Sequence, residues 1–149
     1  MGNVLSSNYT YQSTTLDLGK NGKLQGKLVD GRVKRFTGVP YAKPPTGQYR
    51  WRKTRPLDAE HIYTSSEKQG EPLDCTRFGA QAWQTPMQFP GMGSTEGPTR
   101  YDEDCLTLNL WMPADDEERP EDGWPIMVWF HGESWVGSVK RGNLERGGV

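Results

Sequence analysis

The chain has 149 residues, about the length of one domain. Its 18 Lys and Arg residues against 19 Asp and Glu residues give a net charge of −1, which excludes the strongly basic composition typical of nucleic-acid-binding domains. Only 25 residues are Leu, Ile, Val or Phe, whereas 29 are Gly or Pro, so the composition predicts turns, short strands and a small hydrophobic core.

The N-terminal segment, residues 1–18, is polar and rich in Ser, Thr and Asn, which predicts a flexible arm with little structure of its own. It lacks the apolar run of a cleaved secretory signal, and no part of the chain is long and apolar enough for a membrane span, so we expect a cytoplasmic protein. Met1-Gly2, followed by Ser6, fits N-myristoylation. One acyl chain at Gly2 would give weak membrane association only.

The first predicted element is a β-hairpin with a two-residue turn at Asp30-Gly31. Apolar and polar residues alternate along its strands, and the apolar or small positions are Leu24, Gly26, Leu28, Val33 and Phe36. From Gly38 to Pro56 the Pro and Gly residues disfavour both a helix interior and a central strand. This stretch is therefore predicted to be an ordered loop fixed by its aromatic side chains.

Two further strands are predicted in the second half of the chain. Residues 105–111 carry Leu at every second position from Leu106, which is typical of a strand with one buried face, and Pro113 ends it. Residues 125–130 are apolar on both faces, which predicts a central buried strand. The acidic stretch at 115–122 is interpreted as a solvated turn, and we expect no metal site and no cofactor.

The strand at 125–130 runs directly into small residues, His131-Gly132-Glu133-Ser134. A sharp turn at the end of a buried strand leaves backbone N–H groups unpaired and facing a cleft. Such groups can donate hydrogen bonds to an oxyanion, so this segment is interpreted as an oxyanion loop.

Three blocks of the sequence together resemble the type-B carboxylesterase and cholinesterase family. They are Phe36-Thr37-Gly38-Val39-Pro40-Tyr41-Ala42 with the Pro, Gly and Arg50-Trp51 residues that follow, Glu103-Asp104-Cys105-Leu106 continuing to Pro113, and Pro125 to Gly132. The resemblance spans residues 19–138. It implies the N-terminal portion of an α/β-hydrolase fold, here mostly strands (a β-hairpin plus strands of a mixed sheet) and long loops, and incomplete. Residues 19–149 would be a truncated N-terminal part of the family's domain.

Enzymes of this family cleave carboxylic esters with a Ser on a Gly-x-Ser-x-Gly elbow, a Glu or Asp, and a His. The resemblance places His131 in the oxyanion loop, and His61 is interpreted as a surface residue. Ser134 lies in a segment similar to the elbow. However, the strand before it places it in the oxyanion loop, and the fifth elbow position is Val136 rather than Gly. We therefore expect that no member of the triad is present.

The oxyanion loop itself departs from the family. The family has a run of glycines where this chain has Gly132, Glu133 and Ser134. A Glu side chain adds bulk, and its carboxylate would oppose a nearby oxyanion, so these positions are predicted to form a degenerate and weakened oxyanion hole.

The resemblance also bears on structural residues. It implies a partly buried ion pair between Arg50 and Glu103, with a structural rather than a catalytic role. The family Cys that usually bonds to the equivalent of Cys105 is replaced by Ala82, and Cys75 lies seven residues earlier. We expect two thiols, and a Cys75–Cys105 bridge stays open.

The first hypothesis is therefore a truncated or inactive carboxylesterase-like protein, whose partner in a completed chain would be a small-molecule ester. The alternatives are a non-catalytic binding module of the same family and a lipid-anchored regulatory fragment. Nucleic acid is not expected as a partner, and no specific protein partner can be inferred. Without further strands, the segment Ile126–Phe130 would stay uncovered, which predicts aggregation.

Overall fold

A computed structural model describes residues 9–68, 70–83, 100–115 and 119–130. Within these residues the secondary structure consists of strands and two short 3₁₀ helices, at Gly19–Asn21 and Gly47–Tyr49. The strands are β1 (Tyr11–Asp17), β2 (Lys23–Val29), β3 (Val33–Pro40), β4 (Leu73–Asp74) and β5 (Thr107–Pro113). They form one sheet in the order β1-β2-β3-β5, with β4 paired to β2 off this path. The β2–β4 pair is parallel and the others are antiparallel, which confirms the predicted mixed sheet.

Strand β1 corrects the prediction that residues 1–18 have little structure. Tyr11–Asp17 pairs with β2 from Tyr11 opposite Val29 to Asp17 opposite Lys23, while residues 1–8 lie outside the described part of the chain. Most of its side chains are exposed, because an edge strand needs only Leu16 to reach the core while the backbone ladder holds the rest. A polar strand of this kind carries too weak a pattern to be recognised from alternation alone.

The predicted hairpin of β2 and β3 is confirmed. Asp30 and Gly31 have φ angles of 49° and 68°, and the Arg32 N–H donates to the Val29 carbonyl at 2.9 Å. Asp and Gly adopt such left-handed angles readily, which is why this pair defines the turn. The carboxylate of Asp30 also accepts a hydrogen bond of 2.7 Å from the backbone N–H of Thr10, which ties the start of β1 to the turn.

The prediction of a loop from Gly38 onwards is wrong for its first three residues. Strand β3 continues to Pro40, which pairs with Thr107 of β5. A β-bulge between Phe36 and Val39 makes this possible, because Gly38 takes a φ of 73°. The bulge also returns Val39 to the face of the sheet that carries Phe36, so both side chains are buried.

The core formed by the described residues is small, as the composition predicts. Phe36 and Cys75 are fully buried, and Leu24 and Val39 complete the cluster. Gly26 lies beside this cluster, and the position requires glycine because a Cβ atom there would lie 2.5 Å from the Phe36 ring. Partly buried side chains surround the cluster: Leu16, Leu18, Tyr63, Leu73, Leu110 and Met112.

The second half of the chain differs from its prediction at both strands. A strand is present as β5, but the predicted buried face of alternating Leu residues is wrong in part, because Leu110 and Met112 contact the core while Leu108 is 43% exposed. Residues 125–130 form no strand, and their five apolar side chains, from Ile126 to Phe130, are 66–88% exposed. A segment that is apolar on both faces forms a buried strand only with a neighbour on each side and a layer on each face, and the described residues supply neither.

Candidate active-site region

The predicted oxyanion loop lies beyond the part of the chain that the structure describes. Gly132, Glu133 and Ser134 are outside the described residues, and so are His131 and Gly2. The structure therefore describes the frame that precedes the loop, as far as Phe130. The degenerate oxyanion hole stays a prediction from the sequence.

Arg50 and Glu103 form the ion pair that the resemblance implies. The Arg50 Nε atom lies 2.5 Å from Glu103 Oε1, and the side chains are 58% and 34% exposed respectively. The pair joins the loop after β3 to the segment before β5, two parts of the chain that are far apart in sequence. At this exposure it contributes modestly to stability, so its main consequence is to orient the two segments.

The acidic block before β5 folds into a hydrogen-bonded turn. The carboxylate of Asp102 accepts from the Asp104 backbone N–H at 3.0 Å and from Arg100 Nη2 at 3.0 Å. The Asp104 N–H and then the Arg100 guanidinium hold the pKa of the Asp102 carboxyl below its ordinary value. Gln81 flanks this turn, because its N–H donates to the Arg100 carbonyl and its own carbonyl accepts from Asp102. These contacts fix the entry to β5 and give the Asp102 carboxylate a structural role.

Two polar side chains fasten the bulge of β3. The Asn109 Oδ1 atom accepts from the Gly38 N–H at 3.0 Å, which satisfies a donor that the bulge removes from the ladder. Both the N–H and the hydroxyl of Thr37 donate to the Cys75 carbonyl, at 2.8 and 3.1 Å. Sequence reasoning missed these roles, although a polar Asn within an alternating strand is a signal that could have indicated the first.

Cys75 and Cys105 are both thiols in the structure, as expected, and form no disulfide. Cys75 is fully buried, whereas Cys105 is partly exposed. Burial raises the pKa of the Cys75 thiol from 9.0 to about 11, and the neighbouring Asp74 carboxylate acts in the same direction.

This environment predicts that Cys75 resists alkylation in the folded chain. At pH 8 a rise of two pKa units lowers the thiolate population about 100-fold, and burial further restricts access. Iodoacetamide should therefore modify Cys105 first, and Cys75 should react at least 100-fold more slowly than in urea, as measured by mass spectrometry of timed samples.

The variants Cys75→Ala and Cys105→Ala assign each modification to its residue. The raised pKa of Cys75 also affects stability, because the folded chain binds the thiol proton more tightly than the unfolded chain does. The contribution of Cys75 to the free energy of unfolding is fully present below about pH 9 and is lost as the pH rises towards 11. Cys75→Ala should remove that fall. Equal alkylation rates for the two folded thiols would contradict the assignment.

The remaining candidate groups do not form a catalytic arrangement within the described residues. The His61 ring packs edge-on against Tyr63, with centroids 4.7 Å apart, and it is partly buried rather than fully on the surface. A cleft of about 320 Å³ beside it is lined by Lys20, Asn21, Ala59, Glu60 and Ile62. The described residues contain no group of three or more metal-binding side chains, and none of their helices is long and apolar enough to cross a membrane.

Comparison with known proteins identifies relatives over most of the chain. The profile of the carboxylesterase family matches residues 12–143. An uncharacterized esterase/lipase of Schizosaccharomyces pombe is 36% identical over 127 residues, which cover 82% of this chain and 22% of the relative. Phenmedipham hydrolase of Pseudarthrobacter oxydans is 42% identical over 114 residues, covering 74% of this chain and 20% of the relative.

The fold is similar to that of solved esterases. A thermophilic PNB esterase structure superposes with a TM-score of 0.59 at 30% identity, covering 85% of this chain and 22% of that one. The chain thus spans about a fifth of the length of the proteins that it matches. The strands described above correspond to part of an α/β-hydrolase, as the resemblance implied.

Proposed function

The chain belongs to the carboxylesterase family, and from this premise we propose that it is the N-terminal part of a carboxylic ester hydrolase that does not hydrolyse esters by itself. The observation that carries the proposal is a contrast within the chain. The loop after β3 and the segment before β5, which carry two of the family-like blocks, are present and joined by the Arg50–Glu103 ion pair, whereas the sequence contains no Gly-x-Ser-x-Gly elbow. Without that elbow no Ser is placed to attack an acyl carbon.

In a completed chain, the contribution of this part would be electrostatic. Backbone N–H groups at Gly132, Glu133 and Ser134 would donate to the oxygen that becomes negative as the nucleophile attacks the ester carbonyl. The Glu133 carboxylate would work against that charge, and its Cβ would restrict the backbone angles that glycine permits. Completion would therefore give a slow esterase for small carboxylic esters rather than a fast one.

A chimera tests the proposal directly. The 149-residue chain should neither react with a fluorophosphonate probe nor hydrolyse p-nitrophenyl acetate. Residues 1–138, joined to the downstream part of the Bacillus subtilis para-nitrobenzyl esterase, a relative 36% identical over 111 residues, should gain both properties. In the chimera, Glu133→Gly should raise kcat by about 100-fold, since one effective oxyanion donor is worth about 100- to 1000-fold in kcat.

Ser134→Ala is the matched control, because it changes the adjacent loop position without restoring glycine at Glu133. It should leave probe labelling of the chimera intact. Labelling of Ser134 in the 149-residue chain would overturn the proposal by making that residue a nucleophile. A chimera that stays inactive even with Glu133→Gly would favour the non-catalytic binding module instead.

The same proposal includes weak attachment of the chain to a membrane through Gly2. The start Met1-Gly2 with Ser6 fits N-myristoylation, and one acyl chain supports reversible attachment of a cytoplasmic protein to a membrane. A lipid-anchored regulatory fragment would use this attachment without any catalytic role.

A further inference from the structure

The loop after β3 exposes a tryptophan between basic side chains. Trp51 is 90% exposed and has a φ of 59°, a left-handed angle that is uncommon for a bulky residue. Arg50 precedes it, and Arg52 and Lys53 follow it, with all three side chains exposed. An exposed indole between cations is the feature on which this inference depends.

Several contacts hold residues 50–53, called the tip here, in place. The 3₁₀ turn Gly47–Tyr49 precedes the tip, and the N–H groups of Arg50 and Arg52 donate to the carbonyls of Gly47 and Tyr49 at 3.1 Å each. The Arg55 guanidinium lies 3.3 Å from the centre of the Tyr49 ring. The Arg50–Glu103 ion pair anchors the tip to the segment before β5. Because the backbone is fixed, little conformational entropy remains to be lost when a partner binds.

The tip carries positive charge that the acidic residues of the described ranges do not fully neutralise. Residues 41–58 contain five basic residues and one acidic residue, although the whole chain has a net charge of −1. Lys43 pairs with Asp58 at 2.7 Å and Arg50 pairs with Glu103. Within the described ranges, Arg52 and Lys53 form no ion pair. The unneutralised charge therefore lies beside the exposed indole.

These charges distinguish the tip from the other exposed apolar region. Residues 126–130 are apolar throughout, so further polypeptide could bury them without a charge penalty. Covering Trp51 with protein would also desolvate Arg52 and Lys53, which is costly unless acidic groups meet them. The tip therefore suits an anionic partner that keeps water close to the cations.

We propose that the tip formed by Arg50, Trp51, Arg52 and Lys53 binds the surface of an anionic lipid bilayer. Trp indoles favour the headgroup level of a bilayer, where the ring contacts apolar material and its N–H stays hydrated. Lys and Arg gain energy beside anionic headgroups. A single indole on an outward-facing turn fits this surface better than single-stranded nucleic acid, whose binding sites stack successive bases on several rings.

Vesicle flotation of the purified 149-residue chain tests this proposal. Protein produced in bacteria carries no acyl group at Gly2, and flotation separates vesicle-bound chain from aggregates, which sediment. The chain should float with vesicles of phosphatidylserine and phosphatidylcholine but not with phosphatidylcholine alone. Trp51→Ala should lower the partition coefficient about ten-fold, the effect of withdrawing one large apolar side chain. Arg52→Glu with Lys53→Glu should lower it about 20-fold or more.

Matched controls lie elsewhere on the surface. Trp83 is 74% exposed, so Trp83→Ala removes an exposed indole outside the tip, and Lys20→Glu with Lys68→Glu makes the same charge change away from it. These variants should keep at least half of the binding of the parent chain. Flotation that is equal with neutral vesicles, absent for the parent chain, or unchanged in the tip variants would overturn the proposal.

A binding assay with fluorescent oligothymidine tests the competing partner, single-stranded nucleic acid. The parent chain should show no binding that depends on Trp51 at physiological salt. Oligothymidine binding that the tip variants abolish, together with weak vesicle binding, would assign the tip to single-stranded nucleic acid and refute the membrane proposal.

Discussion

Phe36→Ala is expected to unfold the sheet. The Phe36 ring is completely buried in a cluster whose other buried members, within the part of the chain that the structure describes, are Leu24, Val39 and Cys75. Truncation of a buried Phe costs about 3–5 kcal/mol, and a domain of this size has only about 5–15 kcal/mol of stability in total. Because the core is small, few side chains can move into the cavity. Circular dichroism at low micromolar concentration should show loss of the β-sheet signal or a fall in Tm of about 10 °C or more.

Two further variants make this result specific. Phe36→Leu keeps most of the volume and should be clearly milder than Phe36→Ala. Ile62→Ala truncates a side chain that is 57% exposed, and it should change Tm little. If Phe36→Ala and Ile62→Ala behaved alike, the core would lie elsewhere than the structure places it.

Gly38→Ala is expected to have the second largest effect, because two penalties act at the bulge. The φ of 73° is unfavourable for any residue with a Cβ, and a left-handed angle costs roughly 1–2 kcal/mol. A Cβ atom would also lie 2.9 Å from the Arg77 carbonyl oxygen and 3.0 Å from the Gly79 nitrogen, both of which are backbone atoms. Overpacking of this kind adds about 1–3 kcal/mol. The two penalties together should lower the urea concentration at the midpoint of unfolding.

Gly31→Ala separates the two penalties. Gly31 has a φ of 68°, and a Cβ atom there would meet no atom within 4 Å. This variant therefore carries the backbone strain without the crowding, and the difference between the two measures the close approach of β3 to residues 77–79. If Gly38→Ala and Gly31→Ala lowered the free energy of unfolding equally, the chain would relieve the crowding at Gly38 without an energetic cost.

The hairpin and the alternating strand could be predicted because their signals are local. Asp30-Gly31 specifies a turn through its own backbone preferences, and the Leu spacing before Trp111 indicates a strand. The spacing does not specify which side chains are buried, since Leu108 is 43% exposed. The Arg50–Glu103 ion pair came from the family resemblance, since nothing in the local sequence joins positions so far apart.

Other features depended on contacts that no local pattern contains. Strand β1 is polar and gains its order from pairing with β2 along its whole length. The continuation of β3 through Pro40 requires the bulge at Gly38 and the Asn109 side chain that satisfies the freed N–H. Residues 125–130 carry the strongest apolar signal in the chain and still form no strand, because β-structure requires neighbouring strands and covering layers as well as propensity.

The sequence by itself determined the family, the hairpin turn and the absence of a Gly-x-Ser-x-Gly elbow, because each is a property of residue identity and order. Only the tertiary structure decided which residues form the core, where β3 bulges, that Cys75 is buried and that Trp51 is exposed beside Arg52 and Lys53, which form no ion pair with the described residues. Burial and charge pairing are properties of segments brought together, and chain spacing alone does not specify them. The same reason explains why an apolar run is a strand in one setting and an exposed segment in another.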